Sequence, residues 1–180
     1  MSVVTEYFVA AESDLAVTFA GWRWGTGSLA PPGLEPPLTP VLLPDLSRFA
    51  RVILRGISPS ELITLRTALG LAAGDENVEA MLRPLILAPP VPNRTQWVHR
   101  LPTDLVSCLA ALTVEESNPV GERWAALERK RIETLDDESV RLARLAHHRV
   151  RFWQDMLSEV GALATLAVDK AEGLYLYMHL

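Results

Sequence analysis

Apolar side chains occupy both faces of an extended segment at each end of the chain. Residues 2–10 place them at alternating positions on either side, which is typical of an inner strand. Residues 174–180, Leu-Tyr-Leu-Tyr-Met-His-Leu, repeat the strand-like spacing. Because such strands need neighbours, we predict that the two ends of the chain pair in a small sheet. Residues 95–100 are predicted to form a third strand.

The chain between its two ends has mostly helical spacing. Residues 136–171 contain no proline and place apolar residues three and four apart, so they predict one long helix that faces the core. Gly173 is predicted to end this helix, and the last strand follows it. Six shorter helices are predicted, at 13–19 (capped by Ser13), 45–54, 58–70 (begun by Ser58-Pro59), about 77–82, 103–112 and from Asn118-Pro119 onward.

Glycine and proline dominate the segment at about 21–44, where six prolines follow three glycines. Proline lacks a backbone donor and fixes φ, so an extended surface loop is predicted there. Internal repeats and a linker between domains are not evident. The predicted fold class is therefore α+β, a mostly helical single domain over 1–180 with a small sheet that pairs the N-terminal and C-terminal strands.

Charge and composition narrow the function. The 180 residues carry a net charge of −5 and a pI near 5.4, which argues against a basic nucleic-acid-binding surface. No apolar run reaches membrane-spanning length, and Glu6 stands where a signal peptide would be apolar. Cys108, the one cysteine, cannot form an intramolecular disulfide. We expect a cytoplasmic protein.

Motifs for metal, thiolate or phosphate chemistry are absent from the sequence. His147 and His148 are adjacent on a predicted helix, where they point about 100° apart, and Arg151 would repel a cation. Cys108 lies among leucines rather than beside a base or a cation. The glycine cluster at 21–27 lacks the lysine of a phosphate-binding loop. No cofactor and no catalytic residue are predicted.

Trp22-Arg23-Trp24 is the predicted partner-binding site. Tryptophan and arginine are enriched among interface residues that carry most of the binding energy, and flanking glycines let a loop present them. In the alternative interpretation the indoles fold back as a lid over the sheet. The two tryptophans share strand parity, so one surface could hold both.

The acidic clusters have structural interpretations. Residues 136–138 precede the last predicted helix, where negative charge complements the helix dipole. Glu122, Glu128 and Glu133 alternate with cations on the preceding helix, which predicts a solvated face with local ion pairs.

A small-molecule pocket between the terminal sheet and the last helix is the competing hypothesis. Its lining would come from Tyr7, His99, Tyr175, Tyr177 and His179, provided that their strands are neighbours. Tyrosines at such positions are more often core residues with hydroxyls that face solvent.

The chain also resembles small uncharacterised proteins of actinobacteria. The resemblance lies in the segments 4–11 (VTEYFVAA), 13–16 (SDLA), 121–125 (GERWA) and 166–175 (LAVDKAEGLY). It implies the architecture and a bacterial origin, and it brings no catalytic residues.

These observations favour a non-enzymatic module that binds a protein partner. An immunity or antitoxin-like protein is one version, since small acidic proteins can bind a basic enzyme by electrostatic complementarity. A small-molecule-binding protein or enzyme is the alternative. Pairing with a second copy of the chain stays open.

Overall fold

A computed structural model describes residues 4–20, 22–24, 44–55, 59–71, 82–87, 95–147 and 149–179. Most of the glycine- and proline-rich segment, nearly all of the helix predicted at about 77–82, and His148 lie outside the described residues.

The described residues form one antiparallel sheet that joins the two ends of the chain. Its spatial order is β2-β4-β5-β6-β1-β3. The strands are β1 (Val4–Ala10), β2 (Arg23–Trp24), β3 (Arg51–Arg55), β4 (Ile86–Leu87), β5 (Gln96–Arg100) and β6 (Gly173–His179). β1 pairs with β6 along its whole length, from Val4 opposite His179 to Ala10 opposite Gly173. The predicted pairing of the two ends is confirmed, as is the third strand beside β6.

Helices cover both faces of the sheet, which confirms the α+β class. They are α1 (Glu12–Thr18), α2 (Pro59–Ala68), α3 (Thr103–Ala110), α4 (Val114–Glu133), α5 (Glu138–His147) and α6 (Val150–Lys170). Among them, none is both long and apolar enough to cross a membrane.

Alternation along the strands divides the interior into two cores, because successive side chains point to opposite faces of a sheet. The first core lies under α2, α3, α4 and α6 and contains Tyr7 and Leu176 from the central strands. The second core lies under α1 and contains Phe8, Tyr175 and Tyr177.

The helix predicted over 45–54 is wrong. Turns occupy residues 47–49, and β3 follows from Arg51. Val52 and Leu54 pack half-buried against the first core, while Arg51 and Ile53 lie on the other face. Pairing with β1 stabilises this β-branched run as a strand, which overrides its helical spacing.

The helix start predicted at Asn118-Pro119 is also wrong, by about one turn. α4 begins at Val114, and Pro119 lies inside its second turn. The Thr113 side chain accepts the Glu116 amide, while the Glu116 carboxylate accepts the Thr113 amide. This reciprocal capping box fixes the helix start ahead of the proline.

The long helix predicted over 136–171 is two helices. Arg149 is extended, with φ −83° and ψ 149°, and separates α5 from α6. Both helices contact α4. Within α6 the predicted apolar stripe is confirmed, since Met156, Val160, Leu163 and Ala167 are buried.

Candidate functional site

The five residues of the predicted pocket lie on neighbouring strands but on opposite faces of the sheet. Tyr7 and His99 both lie directly opposite Leu176 in the register, so all three side chains share the face of the first core. The other three predicted residues occupy alternate positions on the other face, at Tyr175, Tyr177 and His179. One pocket therefore cannot collect all five side chains.

Two of the three residues on the second face, Tyr175 and Tyr177, fill that core instead of lining a cavity, and His179 lies partly exposed near the end of β6. The Tyr175 ring stacks on Phe8 with centroids 5.6 Å apart. The Tyr177 hydroxyl donates a hydrogen bond of 2.6 Å to Gln96 Oε1, and its ring contacts the His179 ring at 5.5 Å. These contacts are those of packed core side chains.

Two buried tyrosine hydroxyls, those of Tyr7 and Tyr175, make no hydrogen bond to a described group. Burial raises the pKa of Tyr7 above its ordinary value, and the nearby Glu61 carboxylate adds to the rise. Burial also raises the pKa of Tyr175 to about 12. Both phenols are therefore protonated at neutral pH, which argues against a base or a nucleophile at either position.

Tyr175→Phe is expected to flatten the alkaline loss of stability. Folding raises the pKa of the Tyr175 phenol from 10.0 to about 12. The protonated phenol therefore stabilises the fold fully below about pH 10, and this stabilisation is lost as the pH rises toward 12. At neutral pH the variant should differ by less than about 1 kcal/mol, because no hydrogen bond is removed. Urea unfolding at neutral and alkaline pH measures both effects. Tyr177→Phe, which loses its bond to Gln96, is the control, and an equal alkaline decline in both variants would contradict the interpretation.

The tryptophans predicted to bind a partner differ in exposure. Trp22 is 4% exposed and lies edge-on to Phe19, with ring centroids 5.1 Å apart. Trp24 is half-buried at the end of β2, where it pairs with Ile86. Burial of Trp22 agrees with the alternative that its indole closes over the sheet. A partner-binding role for Arg23 and Trp24 stays a prediction.

A buried charged cluster joins α2 to α4, and the sequence interpretation did not anticipate it. Glu61 is 2% exposed and Glu128 is fully buried, although Glu128 was predicted to lie on a solvated face. Arg131 bridges them: its Nη2 donates to Glu61 Oε1 at 2.5 Å and to Glu128 Oε2 at 2.7 Å. Thr64 donates to Glu128 Oε1, and Trp124 Nε1 donates to the Glu61 carbonyl at 3.0 Å.

The cluster acts as a structural link between the two helices. Burial lowers the pKa of the Arg131 guanidinium, but the hydrogen bonds and charges of Glu128 and Glu61 outweigh burial and raise it overall. Within the described residues, no group of three or more potential metal ligands occurs. A signal for Glu128 was present, since it continues the buried stripe of Val120, Trp124 and Ile132 at four-residue steps.

The remaining chemical candidates are accounted for by packing and capping. Burial, followed by the charges of Asp104 and Glu116, raises the pKa of the Cys108 thiol, which disfavours a nucleophilic thiolate. Asp137 Oδ1 accepts the Val140 amide at 3.1 Å, so the predicted capping role of the acidic cluster at the start of α5 is confirmed.

A shallow groove of about 530 Å³ lies between α4 and the start of α6. Its lining combines three apolar residues with two carboxylates and two cations and comprises Glu122, Ala125, Ala126, Arg129, Lys130, Glu133 and Val150. The mixed charges favour neither an anionic nor a cationic ligand.

The outer edge of β3 is the candidate site that the structure adds. Val9 N donates to Ala50 O at 3.1 Å, so Val52 and Leu54, at two-residue steps from Ala50, also direct their backbone groups toward β1. The N–H and C=O groups of Arg51, Ile53 and Arg55 therefore point outward. Among the described residues, no strand pairs with this edge.

The side chains at this edge combine apolar surface with positive charge. Ile53 is 55% exposed in the middle of the strand. Arg51 Nη1 donates to Glu6 Oε2 at 2.7 Å, and its side chain is one-third exposed. The site thus consists of three alternate residues of β3, Arg51, Ile53 and Arg55, whose backbone N–H and C=O groups point outward. The exposed Ile53 stands between the two arginines.

The described residues form a two-core α+β protein in which no described strand pairs with the outer edge of β3. Comparisons with models of known protein families, with characterised proteins and with solved structures gave no match. The resemblance to actinobacterial proteins therefore stays a prediction.

Proposed function

We propose that the chain is a non-enzymatic module that binds a protein partner, with the outer edge of β3 as the contact surface. The observation that carries this proposal is the combination of outward backbone groups with the exposed Ile53 side chain. Exposed edge strands are templates for pairing with another chain, and β-strand addition is a recurring mode of protein recognition.

The distribution of reactive groups supports binding over catalysis. His99 and His179 lie on opposite faces of the sheet, so they cannot converge with a carboxylate as the enzyme hypothesis requires. The buried carboxylates Glu61 and Glu128 are engaged by Arg131. Acid–base chemistry needs groups within hydrogen-bond reach of a substrate, and these groups instead hold two helices together.

An immunity or antitoxin-like role is the more specific form of this proposal. The net charge of −5 supports it through attraction to a basic partner. At the β3 edge, Arg51 and Arg55 stand on either side of Ile53 in the register, in contrast to the net negative charge of the chain as a whole. A cytoplasmic location stays a prediction.

Ile53→Pro is expected to abolish partner binding while the fold is retained. Proline removes the outward N–H of Ile53 but none of the hydrogen bonds to β1, and edge strands tolerate proline where the N–H faces solvent. The measurement is copurification of tagged chain from its native host, with thermal unfolding as the check on folding. Val17→Thr, which changes an equally exposed apolar residue on α1, is the control.

The proposal is supported if a stoichiometric partner is retained by the wild-type chain and by Val17→Thr but lost from Ile53→Pro. Recovery of the bare wild-type chain at high yield would count against a constitutive partner. A partner that stays bound to folded Ile53→Pro would remove β3 as the contact surface.

A further inference from the structure

We infer that β3 binds an extended acidic segment of the partner as an added strand, in which two carboxylate residues flank an apolar one at alternate positions. This inference rests on the proposed function and specifies the chemistry of the partner.

The backbone sets the spacing of the recognised segment. Arg51, Ile53 and Arg55 each present an outward N–H and C=O, so an added strand hydrogen-bonds to them at two-residue intervals. Residues directly opposite one another in adjacent strands interact on the same face. The complementary segment therefore has an apolar residue opposite Ile53 and acidic residues two positions before and two positions after it.

The positions between these three are also specified. Val52 and Leu54 are half-buried on the face of the first core, at the margin of the sheet. A strand beside them places its intervening residues next to this apolar surface. Small branched side chains there extend the first core, so the preferred segment has valine or a similar residue at each intervening position.

The ion pair at the edge leaves capacity for a second carboxylate. Arg51 uses Nη1 for its bond to Glu6 Oε2 at 2.7 Å. A guanidinium has five N–H donors in a planar fork, and the side chain is one-third exposed. Glu6 thus orients Arg51 at the edge, where an incoming carboxylate can bind the outward part of the same fork.

The same charges disfavour a second copy of the chain, paired about Ile53, as the occupant. Antiparallel pairing of two β3 strands about Ile53 brings Arg51 opposite Arg55 of the second copy, and this happens twice. Like charges directly opposite one another destabilise a strand pair. Charged residues on an edge strand are a known protection against self-association.

Binding of designed peptides tests the inference. A labelled Gly-Glu-Val-Leu-Val-Glu-Gly peptide is expected to bind the wild-type chain and to protect the outward amides of β3 from hydrogen exchange. The matched Gly-Lys-Val-Leu-Val-Lys-Gly peptide should bind at least about tenfold more weakly, because its charges oppose the arginines. Affinity for the acidic peptide should fall with added salt, which screens exposed charges.

The double variant Glu6→Arg with Arg51→Glu reverses the edge while it conserves the ion pair and the net charge. It should bind the acidic peptide at least about tenfold more weakly. It should also gain self-association in analytical ultracentrifugation, because the glutamate then lies opposite Arg55 of a second copy. The wild-type chain is expected to stay monomeric when no peptide is present.

The outcomes separate this inference from the proposed function. Absence of binding by the acidic peptide, equal affinity for the two peptides, or wild-type dimers formed through β3 would each overturn the acidic-strand inference. If Ile53→Pro still releases the native partner in those cases, the proposed partner-binding function stands and only the chemistry assigned to the partner fails.

Discussion

Arg131→Met is expected to lower the free energy of unfolding by about 3–5 kcal/mol. The substitution keeps most of the side-chain volume but removes the cation that Glu61 and Glu128 share. Both carboxylates are buried, so neither can recover its hydration without opening the contact between α2 and α4. Urea unfolding followed by far-UV circular dichroism measures the change.

Two further variants show whether uncompensated charge causes the effect. Arg129→Met removes an exposed arginine from the same helix and should change the stability by less than about 0.5 kcal/mol. Glu61→Leu with Glu128→Met, added to Arg131→Met, should recover most of the loss, because apolar replacement of a buried ionic cluster is often neutral or stabilising. A loss below about 1 kcal/mol in Arg131→Met alone would mean that solvent reaches the carboxylates.

The strands at the two ends of the chain were predictable because the apolar character of nearly every residue, which is visible in the sequence, is also what places them inside the sheet. Both terminal segments are apolar at nearly every position, and only an inner strand buries both of its faces. Pro59 in the first turn and Gly70, at φ 75° after the last turn, likewise mark the two ends of α2 locally, while the predicted cap Ser58 lies outside the described residues.

The elements that were predicted wrongly depend on distant residues. Residues 51–55 have helical and strand spacing together, and pairing with β1, about 45 residues earlier in the chain, selects the strand. The division between α5 and α6 falls at Arg149, with neither proline nor glycine to mark it. Both helices contact α4, and such tertiary contacts are not visible in the local sequence around Arg149.

The candidate site was less predictable than the fold for a related reason. Whether a strand lies at an edge depends on the order of all strands, so nothing in Arg51–Arg55 alone identifies the open side of the sheet. The predicted pocket was wrong because its residues lie on both faces of the sheet. Successive side chains of a strand point to opposite faces, so a difference of one position decides the face on which a residue lies. Trp22 and Trp24 share parity as predicted, but neighbouring aromatic rings bury the first.

Trp124→Ala is expected to cost about 3–5 kcal/mol of stability. The Trp124 ring is fully buried, and its centroid lies 4.4 Å from that of Trp153, so truncation leaves a large cavity between α4 and α6. Trp124→Phe fills much of this volume but removes the Nε1 donor to the Glu61 carbonyl, and it should cost about 1–3 kcal/mol. Trp97→Ala, at a half-buried position on β5, is the control and should cost less than Trp124→Ala.

The two core predictions are coupled, because Arg131 and Trp124 hold the same residue of α2. Arg131 binds the Glu61 carboxylate, and Trp124 binds the Glu61 backbone carbonyl. Each contact holds Glu61 in the position that the other contact needs, so loss of one also weakens the other. The double variant should therefore lose less stability than the sum of the two single losses, by about 0.5–3 kcal/mol. Strict additivity would show that the helix contact consists of independent parts, and the charged cluster would then have no role in positioning the indole.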